Sequence, residues 1–137
     1  MFSEATRLFR RGKADSLPKA AATYEAALRR WRDLGERRYE MKTLVYLAAI
    51  NERQENFRRF IELYSQALPI ARDLGCRRFE GISLHGVGYG WHKLGEYRKA
   101  LEYYRQALTI RQSVGVGGEM AHTLAAIGNA HTDLGEA

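Results

Sequence analysis

Apolar residues recur along this chain with the three-to-four-residue spacing of amphipathic helices, and the whole pattern repeats every forty residues. Ala100, Leu101, Tyr104, Ala107 and Leu108 mark one apolar stripe. Leu84, Val87, Gly88 and Trp91 mark another on the segment before it. The run Leu34-Gly35-Glu36-Arg37-Arg38-Tyr39-Glu40 returns as Leu74-Gly75-Cys76-Arg77-Arg78-Phe79-Glu80, and Tyr64-Ser65-Gln66-Ala67-Leu68 returns as Tyr104-Arg105-Gln106-Ala107-Leu108. Leu84, Gly88 and Leu94-Gly95-Glu96 come back as Leu124, Gly128 and Leu134-Gly135-Glu136. The spacing predicts seven helices, at about 3–12, 16–33, 37–54, 56–73, 77–94, 96–113 and 118–134, separated by turns in which glycine closes the preceding helix. Turns this short force neighbouring helices to run antiparallel. The expected fold is therefore all-α, a stack of helix pairs in a single domain over 1–137, with units of about 1–34, 35–74, 75–114 and a half unit 115–137.

Composition changes little in this picture. Only two prolines occur, and Pro69, inside a predicted helix, removes a backbone donor and predicts a bend. Cys76 is the single cysteine, so no internal disulfide can form, and a reducing cytoplasmic setting is the simplest expectation. No apolar run reaches the roughly 18 residues of a membrane span. The net charge of +6 suits an acidic partner, and its arginines recur with the repeat: Arg37-Arg38 matches Arg77-Arg78, and Arg58-Arg59 matches Arg98-Lys99. Such rows read first as a solvated outer face, balanced in part by Glu40, Glu62, Glu80 and Glu102. Single-stranded nucleic acid is disfavoured, because no aromatics interleave with the arginines.

The recurring positions resemble the tetratricopeptide repeat: Leu84, Val87-Gly88, Trp91, Ala100, Tyr104 and Ala107 in one unit, and Leu44, Leu47-Ala48, Asn51, Phe60, Tyr64 and Ala67 in the unit before it. The first unit keeps Ala20, Tyr24 and Ala27, and the last keeps Leu124, Ile127-Gly128 and His131. A forty-residue period is longer than the usual 34. It is similar to the elongated arrays of kinesin light chains, of spindle-orientation scaffolds with Leu-Gly-Asn repeats, and of bacterial proteins with caspase-like CHAT domains, which the run Ala27-Leu28-Arg29-Arg30-Trp31-Arg32-Asp33-Leu34-Gly35-Glu36-Arg37-Arg38 resembles most. The resemblance implies a right-handed superhelix of about three and a half helix pairs, a non-enzymatic protein-binding scaffold, and a setting in bacterial signalling. Two departures, Phe60 in place of a small residue and Asn51 in place of an aromatic, predict looser or tilted packing of the second unit. The sequence stops where the next second helix is due, with Leu124 and Ile127 on what would be a polar face of a cap. This predicts a piece of a longer protein whose end face seeks a neighbour, a second copy included.

A search for chemistry leaves no catalytic, cofactor or metal site. His85 and His92 share one helical face, with His122 on the next, yet no HExxH or CxxC spacing accompanies them. Gly86-Val87-Gly88-Tyr89-Gly90 lies within an amphipathic helix, without the strand and Lys-Ser/Thr of a phosphate loop. In the family the first helix of each pair lines a concave groove. That places Phe9 of the first unit, Lys42, Val45 and Ala49 of the second, Ile82, His85, Tyr89, His92 and Lys93 of the third, and His122 and Asn129 of the fourth on a protein-binding groove. The family's carboxylate-gripping set is missing, its places being held by Ala5, Phe9, Tyr46, Ile82 and Gly86. Asn129 resembles the backbone-binding asparagines of elongated arrays, but Ala49 and Tyr89 fill the matching places.

Overall fold

The computed structural model describes residues 16–135, and the predicted helix at 3–12, with Phe9, lies outside them. Six helices follow one another: α1 Leu17–Leu34, α2 Arg37–Arg53, α3 Phe57–Asp73, α4 Arg77–Lys93, α5 Tyr97–Val114 and α6 Gly117–Asp133. Each packs chiefly on the helices before and after it, so the array is a solenoid in which α2 with α3 and α4 with α5 form complete pairs. The described residues contain no strand.

The turns explain this regularity. A left-handed residue occurs every twenty residues, at Gly35, Glu55, Gly75, Gly95, Gly115 and Gly135. At Gly35 the amide of Glu36 donates to the Trp31 carbonyl and that of Gly35 to the Arg32 carbonyl, which closes the helix. The same pair of bonds recurs at Gly75 and Gly95. After Gly35, Gly75, Gly95 and Gly115 the next helix begins two residues further on, so the chain reverses within that span. Glu55 is the exception in kind, a side-chain-bearing residue held at φ 57°.

Packing between helices rests on small residues facing large ones. Tyr24, Tyr104, Leu44, Leu47, Leu63 and Leu84 are fully enclosed. Helix α4 is the most enclosed element, and three of its glycines are sites of close approach. A methyl group on Gly86 would lie 2.5 Å from the Tyr64 ring, one on Gly88 2.7 Å from the Tyr104 ring, and one on Gly90 within contact distance of Ile61 and Phe60. Gly90 also resolves the expectation about the second unit. Rather than loosening it, Phe60 is buried edge-on against Tyr64, Phe57 and Tyr89, in space that Gly90 concedes. Asn51 is buried as well, its amide donating to the Leu47 carbonyl at 2.9 Å. Pro69 sits inside α3, which runs unbroken from Phe57 to Asp73. Trp91 is half-buried against the core, with the Lys99 ammonium 4.4 Å from its ring.

Two periodic ion pairs tie the units together. Arg32 meets Glu40 at 3.0 Å, and one repeat later Arg72 meets Glu80 at 3.3 Å. Arg37 and Arg77 approach the other oxygen of the same two carboxylates, at 3.6 and 3.5 Å. Glu40 and Glu80, read from the sequence as surface balance for the arginines, are buried members of these ties. At the third junction Gln112 and Met120 occupy the corresponding places, and the tie is absent.

Candidate functional site

The first helices of the pairs, α2, α4 and α6, border a cleft of about 320 Å³ whose floor comes from the second helices α3 and α5. Its lining brings together Ile82, His85, Gly86 and Tyr89 of α4, Glu52 of α2, His122 of α6, Phe60 and Tyr64 of α3, and Arg111 of α5. A smaller neighbouring cavity of about 150 Å³ joins His92 and Asn129 to His85, Tyr89 and His122.

Of the groove residues expected from sequence, Ile82, His85, Tyr89 and His122 therefore converge on one cleft, and His92 and Asn129 on its neighbour. Lys93 stands exposed beside them, its ammonium 5.8 Å from the Tyr89 ring and 5.9 Å from that of Phe57. Lys42, Val45 and Ala49 lie on earlier turns of α2, half-buried, with Val45 packed onto the core. Tyr89 is half-buried, its ring edge-on to Phe57 and Phe60 and its hydroxyl bonded to the Glu52 carboxylate. Burial, then the charge of Glu52, raise its pKa, so it stays a neutral phenol. The Tyr64 hydroxyl below is pushed up to about 12, chiefly by burial.

His85 is less open than its helical position suggests. Only 7% of it is exposed, and its ring stacks on His122 at 4.3 Å. Its Nδ1 lies 3.1 Å from the Thr123 hydroxyl and 3.4 Å from the Arg111 guanidinium. Burial, and next the positive charge of Arg111, lower its pKa to about 3, so the ring is neutral at pH 7 and Nδ1 is free to accept. His92 is tied differently, with its Nε2 on the Asp133 carboxylate and its Nδ1 3.4 Å from the Tyr104 hydroxyl. The bond to Asp133 joins α4 to α6, and that to Tyr104 joins it to α5.

Arg111 is the residue that periodicity reasoning missed. It is 6% exposed, and its Nη1 donates to the Thr123 hydroxyl at 2.8 Å and to the Glu119 carbonyl at 3.2 Å. Gly81 makes room for it: a methyl group there would lie 3.1 Å from the Arg111 side chain. The signal was present in the repeat, since residues forty and eighty earlier are Ala71 and Trp31, both apolar. A charged side chain in that register has no counterpart in the other units. Thr123 belongs to a column too, with Thr43 and Ser83, and all three are buried.

Among the described residues no group of three His, Cys, Asp or Glu side chains could hold a metal ion, and no helix is long and apolar enough to cross a membrane.

No family model and no curated protein matches the chain. Solved structures do. BtubC (BKLC) from P. vanneervenii is similar over 88% of this chain, with a TM-score of 0.78 and 22% identity, and the chain spans 50% of its length. A signal transduction ATPase with numerous domains from Pyrococcus horikoshii, which carries a tetratricopeptide repeat sensor, matches 85% of this chain with a TM-score of 0.65 and 23% identity. The chain spans 17% of that protein. At these identities the likeness establishes the fold alone, that of a tetratricopeptide-type helical array.

Proposed function

We propose that the chain holds an extended or helical segment of a partner protein against the face formed by α2, α4 and α6. The observation that carries this reading is the cleft itself: side chains from three successive first helices and two second helices meet in one concavity of about 320 Å³. Its walls mix aromatic bodies with polar tips, at Tyr64, Tyr89 and His122, the residue types that anchor peptides with little loss of side-chain entropy. Selection of peptides from a random display library on the immobilised chain tests the reading. Peptides should be recovered that lose binding when Tyr89 is changed to Ser or His122 to Ala. Recovered peptides indifferent to both changes would place the binding surface elsewhere.

A second reading, self-assembly through the end of the array, draws on α6, where Leu124 is 55% exposed and Ala125 and Gly128 beside it are open. Sedimentation across a hundredfold concentration range separates the two: association that Leu124→Glu abolishes favours assembly, and a strict monomer excludes it. A cytoplasmic signalling role in a longer bacterial protein is consistent with either reading.

A further inference from the structure

We infer that the cleft recognises an acidic side chain, an Asp or Glu carboxylate of the bound segment, through Arg111 at its floor; this rests on the peptide-binding reading of the same cleft.

The inference begins with an imbalance. At the first two junctions the arginine that ends a second helix, Arg32 or Arg72, finds a carboxylate on the following helix. At the third junction position 112 is Gln, and the arginine stands one residue earlier. One residue is about 100° of rotation around a helix, which turns the side chain from the outer edge into the cleft. There Arg111 is 94% buried by its 6% exposure, and no carboxylate lies within ion-pairing distance of it among the described residues. The carboxylate of Glu119 gives one oxygen to Arg78 at 3.0 Å and keeps the other buried without a hydrogen-bond partner, so its charge reaches Arg111 but no ion pair forms. The hydrogen-bond partners of Arg111 are all neutral: a hydroxyl, a peptide carbonyl and the imidazole of His85. Its Nε donates to nothing.

A buried guanidinium keeps its charge and is costly without an opposite charge. Here the buried cation borders an open cleft instead of a sealed core, so the counter-charge can come from outside. The other groups around it are arranged compatibly. Tyr64 is a neutral phenol, His122 is exposed at the mouth and stacked on His85, and Gly86 leaves the wall without a side chain. The one acidic wall residue, Glu52, is on the α2 side and accepts from Tyr89. A carboxylate is the fitting ligand because its two oxygens match the planar fork of donors that arginine presents. The carboxylate comes from a side chain and not a chain terminus, since the neighbouring cavity shares His85, Tyr89 and His122 with this cleft and gives the bound segment room to run on.

The test uses amidated peptides recovered from the display selection, so that no terminal carboxylate is present. Recovered peptides should share an Asp or Glu, and its replacement by Asn or Gln should weaken binding about tenfold, the effect of removing a charge-assisted hydrogen-bonded partner. In the Arg111→Gln chain the same replacement should cost less than about twofold. If Arg111→Gln does not fold, the wild-type chain suffices: the Arg111 Nε–Hε signal in a proton–nitrogen correlation spectrum should shift with the acidic peptide and not with its amide form. Two results overturn the inference while leaving the groove reading intact: peptides bound at Tyr89 and His122 that share no acidic residue, or an acid-to-amide cost unchanged by Arg111→Gln. Recovery of no peptide at all overturns both.

Discussion

Gly88 and Gly128 are one repeat apart and have identical places in the periodic pattern, yet they should respond oppositely to the same substitution. On propensity alone, replacing a helical glycine with alanine stabilises by about 1 kcal/mol. At Gly128 nothing lies within 4 Å of the added methyl, so that gain should be realised in full. At Gly88 the methyl would fall 2.7 and 2.9 Å from ring carbons of Tyr104 and 3.1 Å from the Ala100 carbonyl oxygen. Tyr104 is wholly enclosed, so its ring cannot retreat, and the carbonyl belongs to a helix backbone. Overpacking of this kind costs roughly 1–3 kcal/mol. A further loss of about 1 kcal/mol follows if the ring is driven off its rotamer. After the propensity gain, Gly88→Ala should destabilise by about 1–3 kcal/mol. The two variants should therefore differ by about 2–4 kcal/mol, or roughly 6–16 °C in Tm for a chain of this size. Thermal and urea unfolding followed by circular dichroism would measure it. If Gly88→Ala matches or exceeds wild type in stability, the account of α4 as a helix whose glycines are demanded by its neighbours is wrong.

The remaining predictions are shorter. Glu55→Gly should stabilise by roughly 0.5–1 kcal/mol in urea unfolding, because a left-handed residue with a side chain gives way to one without strain. His85 binds its proton with a pKa of about 3 in the folded chain against an ordinary 6.5, so between those values the unfolded chain holds more protons and stability falls as the pH is lowered. The loss should approach about 1.4 kcal/mol per pH unit below 6.5, and His85→Gln should flatten that part of a stability-versus-pH profile. Glu80→Gln should cost about 1 kcal/mol by urea unfolding, since it weakens both the Arg72 and Arg77 contacts of a buried carboxylate.

The repeat was legible because it is written in local terms. Turn glycines, the Leu-Gly pairs and the tyrosine column are each visible within a few residues, and a fixed forty-residue offset multiplies the signal. That Ile82, Tyr89 and His122 share the face of the first helices was readable from helical phase together with the family resemblance; that they line one cleft is seen only in the structure. What the pattern could not carry was pairing between columns. Gly86 and Gly90 read only as glycines within an amphipathic helix until Tyr64 and Ile61 of the preceding helix are seen to fill the space beside them. His85 read as an open groove residue because helical phase says which way a side chain points and nothing of what stands opposite, here Thr123 and Arg111. Arg111 itself was hidden by its abundance of kin. Among so many arginines, only comparison with Ala71 and Trp31 marks the one that faces inward.

The metronome of left-handed residues has a consequence for how such a chain can change length. Because each reversal follows the last by twenty residues, excising residues 35–74 would join Leu34 directly to Gly75, restoring a junction of the same make. Arg32 would then find Glu80 where it had Glu40, and Trp31 would meet Phe79 in place of Tyr39. Loss or gain of a whole forty-residue block leaves every surviving side chain in phase, whereas a block a few residues shorter would rotate all that follows. Evolution can thus shorten or extend the array in whole steps without redesigning its seams.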